Sequence, residues 1–424
     1  MLNNNKAKIL LATLLLLTAS FVAINPHLDK LFTTDNAVYA EKDNSTMTES
    51  DNKQLDENVI QANKDFAFKL FSTIQQAEEN ENIFVSPPSI SIALNLLNNG
   101  ANGETQEEIK NALALQNLTL PEINQQYKIL QNLLQNKEEN TLSINNSLWI
   151  RQGFPVKPDF LSTNREYYQA EVSALDFNNP NAVDTINTWV SDATEDKITS
   201  IIDSIAPEDV LFLINAIYFK GEWQLAFDPE STQEMDFTQS DGEVIQHPLM
   251  MKDGNFAYTE NDDLQMIRLP YGESEELAMY IVLPSENSDL ETLMGELNAE
   301  TWQEWTGNLR RQEGMIRLPK FSLEYEISLN NVLQTLGISR AFTNQADFTN
   351  LTDESIFVNN VKHKTFIDVD EEGTEAAAVT SINIRVTSIP VDAPFEMVVN
   401  RPFFYAIQDE ATDTILFMGN VNSL

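Results

Sequence analysis

The sequence predicts an α+β fold in which a mixed β-sheet is packed with helices. Three observations lead there. Helical and strand-like segments interleave along the 424 residues without a regular strand–helix–strand rhythm. Residues 211–219 form an apolar run suited to a strand covered on both faces. Beyond Gly373, the alternate residues Thr374, Ala376, Ala378, Thr380, Ile382, Ile384 and Val386 are small or apolar. Their neighbours are polar except for Ala377 and Val379, and period two is the signature of a strand with one face meant for a core. The segment is nonetheless bounded by Gly373, Pro390 and Pro394, which punctuate loops. It is a strand pattern in a loop position.

The other elements follow in order. Phe66, Leu70, Phe71 and Ile74 recur at helical spacing, so the first helix is amphipathic. Residues 82–85 make a short apolar strand, broken by Ser86-Pro87-Pro88. A helix through Ala93, Leu94 and Leu97 stops at Gly100, and Ser86 and Ser89 read as its N-cap and first turn. Residues 142–150 alternate as a strand, and 183–202 read as one helix. Later strands are expected at 265–269, 278–283 and 357–369, with a helix at 329–336. The final stretch, 395–421, reads as two buried strands.

The N-terminus stands apart. Lys6 and Lys8 precede an apolar run, residues 9–24, ended by Pro26, which has the form of a secretory signal. The run is short for a membrane span of about 20 residues. Val38-Tyr39-Ala40 and Thr18-Ala19-Ser20 are the candidate cleavage sites. Residues 1–40 are therefore expected to be a targeting segment and 41–56 a flexible polar lead-in. A single large domain then runs from 57 to 424. The expected location is secreted or periplasmic, with membrane tethering the alternative if the segment is not cleaved.

Composition excludes several functions. The net charge of −39 argues against nucleic-acid binding, which needs basic density. The absence of cysteine removes disulfides, thiolate metal sites and a cysteine nucleophile together. The three histidines are His27, His247 and His363. No G-x-S-x-G elbow accompanies them, so a Ser-His-Asp hydrolase has no support. His247 reads as a surface-loop residue, and His363, inside a strand pattern, as a hydrogen-bonded core residue. Asp368, Asp370, Glu371 and Glu372 lie close together, but their spacing matches no cation-binding loop. No Gly-rich phosphate loop is present. Neither a metal nor a cofactor is expected.

Several blocks in fixed order resemble the serpin family from about residue 57 onward. They are residues 82–108 with their Ser-Pro-x-Ser-Ile core, and 215–223 followed by Phe227-Asp228-Pro229. Leu318-Pro319-Lys320-Phe321, Leu336-Gly337-Ile338, Asn400-Arg401-Pro402-Phe403 and Phe417-Met418-Gly419 complete the set. One departure is Asp196, where the family usually has glycine.

The resemblance implies a serpin fold, with three β-sheets, about eight or nine helices and an exposed reactive-centre loop at about 371–395. It implies a hinge formed by Glu371, Gly373, Thr374, Glu375, Ala376, Ala377, Ala378, Val379 and Thr380. It places Ser86, Ser89, Asn215 and His363 in a polar shutter cluster under the main sheet, and Trp223, Lys320 and Glu371 in the breach at its top. The implied function is suicide-substrate inhibition of serine proteases. Counting Glu371 as one, family usage puts the cleaved residue at position seventeen, Thr387, and the reactive bond at Thr387–Ser388. Val386 and Arg385 are the alternatives, Arg385 being the choice of a trypsin-like enzyme. A non-inhibitory binding or chaperone-like role is the competing reading, although such members tend to carry bulky, charged or proline residues in the hinge. Residues 118–140, where heparin-binding members tend to be basic, hold only Lys128 and Lys137. No polyanion cofactor is expected, and the protein is expected to be monomeric.

Overall fold

The computed structural model describes residues 54–135, 137, 139–374 and 393–424. The expected targeting segment and the loop from Glu375 onward fall outside them. Among the described residues are nine α-helices and fifteen strands. The end of the expected lead-in belongs to the folded part: Leu55 is buried, and Asp56 accepts from the Asn58 N–H as N-cap of the first helix, Glu57–Ala77.

The six-stranded sheet carries the site. Its strands are β2 (Thr141–Arg151), β3 (Glu171–Leu175), β4 (Leu211–Glu222), β10 (Phe321–Ser328), β11 (Lys362–Val369) and β12 (Gly373–Thr374). They are ordered β10-β11-β12-β4-β2-β3. β12 is only two residues long, pairing Thr374 with Val369 on one side and with Gly221 on the other. Among the described residues, the position between β11 and β4 is therefore filled at one end alone.

The second network has nine strands: β1 (Ile83–Val85), β5 (Gln233–Thr238), β6 (Val244–Glu260), β7 (Leu264–Tyr271), β8 (Leu277–Pro284), β9 (Arg310–Pro319), β13 (Phe395–Val398), β14 (Phe403–Asp409) and β15 (Thr414–Val421). Two of the three expected sheets are continuous here because β6 belongs to both. It pairs β5 and β9 over most of its length and β7 at its end, from Ala257 to Glu260. β8, β14 and β15 are buried along their whole length, the mainly apolar pattern of strands covered on both faces, with Gln408, Asp409, Thr414 and Asn420 as buried polar exceptions.

Several boundaries differ from expectation. The helix expected at 183–202 is Ala182–Ala193. It stops because Glu195 and Asp196 adopt left-handed backbone, φ 50° and 64°, and the Thr194 hydroxyl turns back to the Val190 carbonyl. Asp196, at the family's usual glycine, accepts from the Ser191 hydroxyl at 2.8 Å, a local bond that offsets its backbone cost. The strand expected from 357 begins at Lys362, because Val361 instead accepts from Leu329 N–H and donates to Asn330 Oδ1. The final stretch holds three strands, since Asn400-Arg401-Pro402 separates β13 from β14 and Arg401 binds the Pro284 carbonyl.

Candidate functional site

The site is the top of the incomplete strand position and the polar residues beneath it. Val369 ends β11, and Asp370 Oδ1 accepts from the N–H groups of Glu372 and Gly373, making a tight turn into β12. Gly373 lies so close to β4 that a Cβ there would collide with the Gly221 carbonyl. Thr374 is buried, and its Oγ1 lies 2.8 Å from the Tyr271 hydroxyl. The remaining hinge residues, Glu375, Ala376, Ala377, Ala378, Val379 and Thr380, and the bond Thr387–Ser388 with Val386 and Arg385, are outside the described residues.

Trp223 holds this turn from behind. Its indole N–H donates to the Asp370 carbonyl and its backbone N–H to the Glu372 carbonyl, both at 2.9 Å. The ring stacks on Tyr271 at 4.6 Å between centroids, 11° from parallel. Phe227 N–H donates to the Glu371 carbonyl at 2.7 Å. The Glu371 side chain bonds Lys320 Nζ and the Thr232 hydroxyl, each at 2.7 Å. Burial works against ionisation of Glu371, but these donors outweigh it and hold the carboxyl below its ordinary range.

The lower cluster divides across the incomplete position. Helix Pro87–Asn98 begins beneath it. Ser86 N–H donates to His363 Nε2 on β11 at 3.1 Å, and Ser86 Oγ donates to the Leu416 carbonyl at 2.8 Å. Ser89 Oγ donates to Asn215 Oδ1 on β4, and Asn215 passes the chain to Asn146 Oδ1 at 2.7 Å. The cluster is thus two separate branches, one to each flanking strand. Burial lowers the His363 imidazole to about 3, so it is neutral and accepts at Nε2. Ser86 occupies the N-cap position without a side-chain cap bond, because its hydroxyl is used on β15.

His247 differs from its sequence reading as a loop residue. It lies half-buried in β6, with Nε2 2.5 Å from the Lys320 carbonyl, beside the Lys320–Glu371 pair. Tyr271 and Thr232 were not singled out by the sequence. Tyr271 follows Pro270, where the strand pattern had been expected to stop, and nothing local marks either residue as a partner of the hinge. Among the described residues no cluster of metal-ligating side chains occurs.

This arrangement is a two-residue strand wedged between the long strands of a large mixed sheet, ahead of a segment whose sequence alternates like a strand. The profile of the family described as Serpin (serine protease inhibitor) matches residues 61–424, and the chain belongs to that family. Human neuroserpin is 36% identical over 373 residues, covering 84% of this chain and 90% of its own. A serpin-like protein of Methanosarcina acetivorans is 36% identical over 376 residues, covering 86% and 88%. Among solved structures, the native state of tengpin, a thermophilic serpin, superposes with a TM-score of 0.81 at 34% identity, over 88% of this chain and 96% of that one. Thyroxine-binding globulin in complex with thyroxine gives 0.78 at 30%, over 86% and 98%. The fold is the serpin fold, whose members are generally protease inhibitors rather than enzymes. No helix among the described residues is long and apolar enough to cross a membrane.

Proposed function

We propose that this protein is an irreversible suicide-substrate inhibitor of serine endopeptidases with elastase-like or subtilisin-like specificity. One observation carries the reading: Thr374 already pairs with both β4 and β11, and Gly373 with β4, at the end of a strand position that the following small residues suit. The protease serine oxygen attacks the Thr387 carbonyl carbon, the Thr387–Ser388 C–N bond breaks, and the Ser388 amine leaves with a proton delivered by the protease. The acyl ester stays on Thr387. The freed loop then enters between β11 and β4 as a new strand, carrying the protease with it and distorting its active site before water can release the ester.

The driving force is new ladder hydrogen bonds at about 1 kcal/mol net each. Burial of Ile382, Ile384 and Val386 adds roughly 1.5–3 kcal/mol apiece. The uncleaved form is metastable and persists behind a barrier. The two-branched cluster suits that change, because Ser86 and Ser89 hold β11 and β4 separately. Lys128 lies over the Tyr167 ring and Lys137 is paired with Asp409 and Glu276, which supports action without a polyanion cofactor. The protein acts outside the cytoplasm, as a monomer.

Thyroxine-binding globulin, of the same fold, is solved with thyroxine, so a carrier role is the second reading. Thr374 and Ala376-Ala377-Ala378 favour inhibition over it. Arg385 keeps trypsin-like enzymes as alternative targets. The test is incubation with elastase-like, subtilisin-like and trypsin-like enzymes, followed by denaturing electrophoresis. A stable complex with either of the first two is expected; cleavage without any complex favours the carrier reading.

A further inference from the structure

A cavity of about 130 Å³ is walled by Trp223, Phe227, Phe256 and Leu269, with Leu225, which is 62% exposed, also in its lining. A dry cavity near this size holds a benzene ring. Its charged lining is unbalanced. Glu275 is the one carboxylate, and Arg268 and Gln224 already occupy it, at 2.9 and 2.8 Å. Lys252 has no carboxylate at ion-pair distance among the described residues, and its ammonium lies 5.3 Å from the Phe227 ring centroid. Arg311 adds a third cation to the lining. Arg268 is itself paired with Glu275 and with Glu410 outside the lining, so Lys252 and Arg311 are the excess cations of an apolar cavity in a chain of net charge −39.

We propose that this cavity is a binding site for small aromatic or aliphatic monoanions, with the acid group on Lys252 and the apolar body between Phe227, Phe256 and Trp223. Burial depresses Lys252 to about 7, and the charged groups lining the cavity with it are Arg268, Glu275 and Arg311. A bound anion favours the charged lysine, so binding above pH 7 takes up a proton and weakens as pH rises. Trp223 and Phe227 are also the residues whose N–H groups hold the Asp370, Glu371 and Glu372 carbonyls. A ligand packed against them stabilises the hinge turn in its present form and slows its opening, a consequence that rests on the inhibitory reading above.

Titration calorimetry with 2-naphthoate, and with neutral 2-naphthamide as control, tests the site on the full-length protein. Saturable binding of the acid is expected, about tenfold or more tighter than the amide, the scale of a charge-assisted hydrogen bond. Net proton uptake is expected at about pH 8, with a shift of the Trp223 indole resonance, assigned by its loss in Trp223→Phe. Lys252→Gln should remove the preference for the acid. Equal affinity for acid and amide, or unchanged acid binding in Lys252→Gln, overturns the site. These readouts do not depend on protease inhibition. If the site binds but loop-cleaving proteases are trapped equally with and without 2-naphthoate, only the coupling to the hinge fails.

Discussion

Thr374 Oγ1 and the Tyr271 hydroxyl lie 2.8 Å apart, both buried, joining the start of the hinge to the strand on which Trp223 stacks. The contact fixes the Thr374 side chain in its inward-facing, buried position. Burial also keeps the Tyr271 phenol protonated.

Replacing Thr374 with Arg should therefore convert an inhibitor into a substrate. The new charge would enter a buried site packed against Tyr271, and burying a charge there is costly. Cleavage by the target continues while the gel-stable complex disappears. Ala378→Pro should act alike by removing a ladder donor. Either variant still trapping protease at the wild-type ratio would sink strand insertion as the mechanism.

Cleavage in the loop should raise the melting temperature strongly, because an inserted strand completes the position that β12 only begins. Calorimetry of intact and nicked protein measures this. Equal melting temperatures would favour the carrier reading.

His363 should make the intact protein sensitive to mild acid. Its folded value, about 3, is below the ordinary 6.5, so as pH falls between them the unfolded chain takes up a proton that the folded one does not. Stability falls by up to about 1.4 kcal/mol per pH unit across that window. His363→Phe abolishes this slope and leaves the Ser86 N–H without its acceptor, costing about 1–3 kcal/mol at neutral pH. Denaturation series at several pH values separate the two effects; an unchanged slope would mean that His363 is not neutral in the fold.

The Lys320–Glu371 pair should restrain the turn. The Glu371 value is depressed, so its contribution is present above the ordinary 4.5 and is lost as pH falls through its lower folded value. Lys320 is 38% exposed, which limits the pair to about 1 kcal/mol or less in stability. Lys320→Met should speed spontaneous loss of inhibitory activity at 37 °C more than it lowers the denaturation midpoint. Identical rates of loss in variant and wild type would remove the pair from control of the hinge.

The cleaved bond should be Thr387–Ser388. Mass spectrometry of the released C-terminal peptide reads it directly. A peptide beginning at Val386 would mean cleavage after Arg385 and a trypsin-like target.

Much of this protein was legible in its sequence because periodicity is local. Alternation marked residues 142–150 as a strand, and the apolar run at 211–219 marked another, buried mainly at Ile214 and from Ala216 to Phe219 with Leu211, Phe212 and Leu213 half-buried, since burial on each face repeats with the backbone's own period. The ends of elements were less legible. Thr194, Glu195 and Asp196 stop a helix through a side-chain bond and left-handed backbone that no hydrophobic pattern records.

By itself the sequence determined the element types, the family blocks and the small-residue character of the hinge, all properties of neighbours along the chain. Only the tertiary structure decided which strands flank the incomplete position, that Tyr271 meets Thr374 across 103 residues, and that the expected polar cluster is two branches rather than one. The same holds for Lys252, a β6 residue whose setting against Phe227 in the loop after β4 arises only on folding. A residue's pattern reports that it will be buried; what it is buried against depends on pairings far apart in the chain, which the closed sheet alone selects.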